Sequence, residues 1–297
     1  MRIFRTGWSE GFDGPGRRWI IYLKECNFRC RWCANPEGLN PGDEIMFYPD
    51  RAENPDRACP YGAATTTDAG WNLDRALCAS CEGRPCTATW RHPSYEWAGE
   101  ELSPAEVEAR ARRYLPLFGA DGGVTFGGGE PTLQADEVLD TLMRLRRAGV
   151  HTAIETNAGT ESFGRFIGVV DLLICDLKCA TDALHLEWTG ASNRTVIENL
   201  RAAAERQPLL WIRVPFVPGM NDTANEMEAM ADVLGDLAAR RDSLKVEVLR
   251  MHHLGEPKYR ALGWEYPMAG VDEPPRETAK KLVEKIRSRN IDASLAA

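Results

Sequence analysis

Trp19-Ile20-Ile21-Tyr22-Leu23-Lys24-Glu25-Cys26-Asn27-Phe28-Arg29-Cys30-Arg31-Trp32-Cys33 is the stretch from which the rest of the chain can be read. Its first part is a continuous apolar run rich in strand-forming residues, the pattern of a buried strand. Three thiols follow directly in the order C-x-x-x-C-x-x-C, so a loop at the strand's end can turn them toward one face.

Downstream of residue 100 strands and helices alternate. Ser103-Pro104-Ala105-Glu106 offers an N-cap serine, a proline at the first helical position and a glutamate where a capping box needs one, which starts a helix running to about 118. The periodicity then predicts strands over 123–126, 152–155, 170–176, 209–214 and 245–249. Helices are expected over 135–148, 161–168, 193–206 and 222–240, with 274–289 as a closing helix. Strand–helix alternation at this interval implies right-handed crossovers and a parallel sheet. With the first strand at 17–24 there are about six repeats, a partial (β/α)6 barrel short of the eight that close one. Residues 40–99 break the pattern with Pro, Gly, Asp, Asn and four cysteines. A loop of ~60 residues without structure is uncommon in a compact domain, so this segment reads as a small metal-organised insert. The expected division is 1–39 with 100–297 as the barrel and 40–99 as the insert.

The 297 residues carry 36 Lys+Arg against 44 Asp+Glu, a net charge of −8, with 43% hydrophobic and 27% charged residues. That composition excludes a disordered chain. No apolar run approaches the ~20 residues of a membrane span, and the acidic balance argues against nucleic acid. No secretory segment is recognisable at the start, so the expected compartment is the cytoplasm, without membrane partners. Nine cysteines in that setting point to metal rather than disulfides, and seven of them fall at ligand spacings in the first 86 residues.

Cys26, Cys30 and Cys33 can bind three irons of a [4Fe-4S] cubane and leave the fourth open, as a catalytic cluster requires. Zinc is the alternative, though it normally takes a fourth ligand. After the 123–126 strand comes Phe126-Gly127-Gly128-Gly129-Glu130-Pro131. Glycines there let a ligand approach the backbone, whose carbonyls, with the Glu130 carboxylate, can accept hydrogen bonds from an ammonium.

The three-cysteine loop with Trp32 before its last thiol, together with Gly128-Gly129-Glu130-Pro131, resembles the radical S-adenosylmethionine (SAM) superfamily. Asp13-Gly14-Pro15-Gly16-Arg17, Cys33-Ala34-Asn35-Pro36-Glu37, Glu155-Thr156-Asn157, Asp176-Leu177-Lys178, Arg213-Val214-Pro215-Phe216-Val217-Pro218-Gly219 and His252-His253-Leu254-Gly255 are similar to motifs of its glycyl-radical-enzyme activating enzymes, in the same order over about residues 10–265. The resemblance implies that SAM is chelated on the open iron and reductively cleaved to a 5′-deoxyadenosyl radical. That radical would take hydrogen from a glycine of a partner glycyl radical enzyme. It further implies a flavodoxin- or ferredoxin-type reductant. Trp32 would lie against the adenine, and Ala34 would also contact the cofactor; Gly128, Gly129 and Glu130 would hold the amino group. Asp176, Lys178, Arg213 and His252 would contact SAM from strand ends. Glu155, Thr156 and Asp176 would form the monovalent-cation site that some relatives have.

In the insert, Cys78-x2-Cys81-x4-Cys86 resembles the opening run of a bacterial ferredoxin, slightly stretched, and Cys59-Pro60 a closing Cys-Pro. Together Cys59, Cys78, Cys81 and Cys86 supply one set of four for a single auxiliary [4Fe-4S] cluster, with zinc again the alternative. Cys175 and Cys179 are left over; Cys175 reads as a small core residue. Two rival functions stay open: a radical SAM enzyme acting on a small metabolite or peptide, and a non-enzymatic iron–sulfur electron carrier or zinc module.

Overall fold

The computed structural model describes residues 1–51, 59–68, 70–81, 83–88 and 94–296. In chain order the elements begin with β1 (Arg2–Glu10), β2 (Arg17–Leu23), β3 (Glu44–Phe47), β4 (Ala64–Thr67), β5 (Gly70–Leu73), α1 (Arg75–Ala79), α2 (Pro85–Ala88), β6 (Tyr95–Ala98) and β7 (Glu100–Glu101). They continue with α3 (Pro104–Phe118), β8 (Gly123–Gly128), α4 (Ala135–Arg147), β9 (His151–Thr156), β10 (Leu172–Asp176), α5 (Asp182–Thr189) and α6 (Arg194–Arg206). The rest is β11 (Leu209–Phe216), α7 (Ala224–Ala238), β12 (Lys245–Arg250), α8 (Glu256–Leu262), α9 (Arg276–Arg287) and β13 (Asp292–Leu295).

One open sheet organises the chain in the order β13-β12-β11-β10-β9-β8-β2-β1-β7. From β2 to β12 every neighbouring pair is parallel, which gives the six-stranded partial barrel that the alternation predicts. The edges differ from expectation. Arg17–Leu23 is not the first strand: β1 precedes it and pairs antiparallel, so Asp13-Gly14-Pro15-Gly16 forms the turn of a hairpin. At the other edge the helix at the chain's end does not close the fold, because β13 follows α9 and extends the sheet parallel to β12. Segment 161–168 is a short 3-10 turn over Glu161–Arg165.

Helices cover the outer face of the sheet. Alternate residues of β2, such as Trp19, Ile21 and Leu23, join Val124, Phe126, Ile154, Leu173, Ile212 and Val246 in one hydrophobic core against α3, α4, α6, α7 and α9. Ser103 caps α3 with Oγ accepting from Glu106 N, and the Glu106 carboxylate accepts from Ser103 N at 2.8 Å, the reciprocal pair read from the sequence. Arg18 is fully buried at the base of β2 and donates to Thr125 Oγ1 (2.9 Å) and to the Val124 carbonyl (2.7 Å). Burial lowers its pKa to about 10.

The described part of segment 40–99 holds the antiparallel pair β3–β6 and the hairpin β4–β5. Ile45, Phe47, Leu73, Tyr95 and Cys86 form a small core there, apart from the main one. Among the described residues no helix is long and apolar enough to cross a membrane.

Candidate functional site

The parallel strands point their C-terminal ends at the Cys26–Cys33 loop, where side chains and free backbone groups of successive strands converge. The loop is held by its neighbours. Cys26 N donates to Leu39 O (3.2 Å), Arg29 N to Thr189 O (2.7 Å) and Arg31 N to Trp188 O (3.1 Å). Asn157 Nδ2, from the end of β9, donates to Asn27 Oδ1 at 2.8 Å. Phe28 anchors the middle of the loop in the core, edge-on to His185 at 5.2 Å. With the backbone so fixed, Cys26, Cys30 and Cys33 all face one cavity of about 410 Å³ as free thiols.

Of the residues that the resemblance assigns to SAM, all but Glu130 line that cavity. Trp32 and Ala34 come from the loop, Gly128 and Gly129 from the end of β8, and Glu155 and Thr156 from β9. Asp176 and Lys178 stand at the end of β10, Arg213 on β11 and His252 after β12. Lys178 is buried, donates to Asp176 Oδ2 at 2.6 Å and sits 5.9 Å from the Trp32 ring centre. Burial opposes its charge, but Asp176 and the neighbouring thiols hold its pKa above the ordinary value. His252 is exposed, its Nδ1 accepting from Leu254 N at 3.3 Å.

The glycine loop explains its own composition. Gly128 has φ +104°, and a Cβ on Gly129 would meet Glu25 O at 2.1 Å. Gly129 N donates to Leu23 O and Glu130 N to Glu25 O (2.8 and 2.7 Å), so the loop runs flush against the segment entering Cys26. Glu130 departs from the reading given above. It lies outside the cavity, fully buried, and both carboxylate oxygens are engaged: Oε1 accepts from Thr132 N, Thr132 Oγ1 and Thr156 Oγ1, and Oε2 from Asn157 N. Its carboxylate fastens the loop to the end of β9 instead of reaching into the cavity.

Arg213 is likewise more tied than the sequence suggests. It pairs with Glu155 and with Glu247 (3.2 Å), stands 4.0 Å from Asp13, and donates to the carbonyl of Phe12. Burial, with Asp13 and Asp176 nearby, pushes Glu155 up to about 7 despite the guanidinium. Phe12, Asp13, Tyr22, Asn35 and Asn157 also line the cavity and carry no assigned role in the sequence reading. Phe12 and Asp13 belong to the β1–β2 turn, whose inward fold no local pattern announces.

Cys59, Cys78, Cys81 and Cys86 line a second, tight and mostly apolar cavity of about 20 Å³ with Ile45, Leu73 and Tyr95. Asp74 caps α1 by accepting from Ala76 N and Leu77 N, which fixes the turn carrying Cys78. Cys175 is packed in the main core, and Cys179 lies buried beside Trp32 and Cys33 with its thiol toward Thr181 O.

Among the described residues, no three His, Cys, Asp or Glu side chains are arranged to hold a single metal ion. A cubane is wider than one ion, and its ligands stand round a cavity instead of converging on a point. The donor chemistry at the first site suits it. Burial pushes the Cys26 and Cys30 thiols up to about 12 and Cys33 to about 11, so a cationic partner is needed to stabilise three thiolates there.

The family model for the radical SAM superfamily matches residues 20–234. The choline trimethylamine-lyase activating enzyme of Oleidesulfovibrio alaskensis is 30% identical over 90% of this chain and 89% of its own. The isethionate sulfite-lyase activating enzyme of Nitratidesulfovibrio vulgaris is 33% identical over 87% of this chain and 86% of its own. The benzylsuccinate synthase activating enzyme of Thauera aromatica is 32% identical over 95% and 88%. Among solved structures, Streptococcus suis SuiB bound to precursor peptide SuiA covers 94% of this chain and 48% of its own, at 12% identity and a TM-score of 0.53, a likeness of fold alone. The chain therefore belongs to the radical SAM superfamily and, within it, to the glycyl-radical-enzyme activating enzymes.

Proposed function

We propose that this chain binds SAM on a [4Fe-4S] cluster held by Cys26, Cys30 and Cys33, and removes a hydrogen atom from a backbone glycine of a partner glycyl radical enzyme. The observation that carries the reading is the meeting of those three thiols with Gly128, Gly129, Thr156, Asp176, Lys178 and His252 in one cavity. The relatives, each named as the activating enzyme of a lyase, synthase or decarboxylase, favour a protein substrate over a small metabolite and an enzyme over an electron carrier. When bound, the cluster supplies one electron through its open iron, which splits the sulfonium of SAM into methionine and a 5′-deoxyadenosyl radical.

The chain's own residues then have the following tasks. The ammonium of Lys178 neutralises the SAM carboxylate while Asp176 keeps it charged and aimed. The backbone of Gly128 and Gly129 receives the amino group, with Glu130 holding that loop in place. Trp32 and Ala34 flank the adenine, and His252 meets the ribose. Arg213 lines the cavity and fixes Glu155 and Asp13. Glu155, Thr156 and Asp176 form the monovalent-cation site. Segment 40–99 is an inserted module in which Cys59, Cys78, Cys81 and Cys86 bind an auxiliary [4Fe-4S] cluster. The electron comes from a flavodoxin- or ferredoxin-type carrier, and the setting is the cytoplasm.

The test is anaerobic incubation of reconstituted protein with SAM, a reductant and candidate glycyl radical enzymes, read by electron paramagnetic resonance. A glycyl doublet on a partner is the expected result. Release of 5′-deoxyadenosine without radical on any candidate would move the reading to a metabolite or peptide substrate. No 5′-deoxyadenosine at all would sink it.

A further inference from the structure

α8 packs against the segment that leaves Cys33 on one side and against Arg75 of α1, the helix that carries Cys78, on the other. It begins directly after the His252 loop. Gly255, its N-terminal neighbour, rests against the third cysteine, where a Cβ would meet Cys33 O at 2.5 Å and Ala34 Cα at 3.1 Å. One turn on, Lys258 Nζ donates to Asn35 Oδ1 (2.8 Å) and to Glu37 Oε1 (2.7 Å). Both acceptors belong to the segment that leaves Cys33, and Asn35 lines the SAM cavity. Glu37 is 3% exposed and its second carboxylate oxygen is buried without a hydrogen bond. The Lys258 ammonium pairs directly with this buried charge, and the Lys24 ammonium donates to the Glu37 carbonyl nearby at 2.9 Å.

The other end of α8 is held from the insert. Arg75 stands on α1, three residues before Cys78, and its Nη2 donates to Ala261 O at 2.6 Å while Nη1 donates to Ile45 O at 2.8 Å. Gly263 ends α8 at φ +73°, and a Cβ there would meet Arg75 Nε at 2.8 Å, so the guanidinium lies directly against this glycine. Ala261 and Leu262 also pack with Met46 of β3 and Ala98 of β6. A rigid run thus leads from the helix carrying Cys78, through Arg75 and α8, to Lys258 and the Cys33–Glu37 segment. The insert's own core is small, and a module of that size gains much of its folded stability from bound metal. Loss of that metal would loosen the insert and withdraw Arg75 from Ala261.

We propose that the Arg75–α8–Lys258 run couples the order of the insert to SAM affinity, with Arg75 and Lys258 as positioning residues that hold Asn35 and His252 at the cavity. The inference rests on the reading of the first cavity as a SAM site. Coupling of this kind is reciprocal, so SAM should also tighten metal retention in the insert.

The experiment uses the full chain, reconstituted anaerobically, with SAM affinity measured by equilibrium dialysis and iron counted per chain. Arg75→Ala and Lys258→Ala should each weaken SAM binding by about fivefold or more, with the iron of the three-cysteine site retained. Because both cut one run, the double variant should be no weaker than the poorer single by more than about twofold. Affinity within about twofold of wild type in either single, or losses that multiply in the double, overturns the coupling. Should Arg75→Ala fail to fold, Cys78→Ala takes its place. It should lower SAM affinity in the wild-type background and leave it unchanged in the Lys258→Ala background; equal losses in both backgrounds overturn the route. Failure of the wild-type chain to bind SAM would strike the proposed function itself, which separates the two ideas.

Discussion

At the scale of single residues, burial decides how much each cavity group is worth. Lys178 is 8% exposed and bonded to Asp176, whereas His252 stands in solvent at the rim. Lys178→Ala should cost about 1.5–3 kcal/mol of SAM affinity, the range for a hydrogen bond to a charged group, and it also strands Asp176. His252→Ala should cost no more than about 0.5–1.5 kcal/mol. Equal losses by titration calorimetry, or a larger one at His252, would reject this assignment. Glu155 gives a pH signature. Its carboxyl titrates near 7 when folded against an ordinary 4.5, so between those values the folded chain binds a proton that the unfolded chain does not. Stability must therefore fall as pH rises through that window. With its side chain 28% exposed, the decline is on the order of 1–2 kcal/mol. Denaturant melts of wild type and Glu155→Gln at pH 5 and 7.5 should show that decline only in the wild type.

At the scale of elements, the glycine loop is set by backbone contact and α3 by its cap, and the two should fail differently. Gly129→Ala pushes a methyl into Glu25 O at the entrance to Cys26. It should lower stability by about 1–3 kcal/mol and also strip iron from the three-cysteine site. Ser103→Ala removes only the cap, costing about 1 kcal/mol with iron unchanged. Iron loss in both, or in neither, would show that the loop and the cluster segment are not locked together. The same contrast explains what was legible in the sequence. The capping box and the runs of β2, β8 and β10 carry their signal locally, so their elements were readable to within a few residues. β1 was not, since Arg2–Glu10 is flanked by no apolar repeat and gains its partner only when the 11–16 turn closes. β13 is four residues long and owes its pairing to β12. Within the cavity, motif order located the thiols, glycines and charged residues. It could not reveal that Glu130 is consumed by Thr132, Thr156 and Asn157, or that Arg213 is wrapped by three carboxylates, because those partners come from separate strands.

At the scale of the whole molecule, the question is whether one chain carries two clusters. Cys78, Cys81 and Cys86 are local to one another, but a cubane ligated wholly by protein needs a fourth thiol. Cys59 lies 19 positions before Cys78, with β4 and β5 between, and nothing in that spacing alone brings it near. The fold does: Cys59 lines the same tight cavity as the other three, with Ala63 N donating to its Sγ at 3.4 Å. Wild type should then hold about eight irons, and the chain with Cys26, Cys30 and Cys33 all replaced by Ala about four, in a cluster whose spectrum SAM does not perturb. Cys59→Ala should empty the second site as fully as Cys81→Ala. A carboxylate or water cannot readily replace the missing thiolate there, since the cavity is small and walled by Ile45, Leu73 and Tyr95. In either variant the first site keeps its four irons, and SAM cleavage with an artificial reductant persists at the reduced affinity that a disordered insert imposes. Zinc in place of the second cubane, or undiminished iron in Cys59→Ala, would reject this ligand set and leave the three-cysteine site untouched.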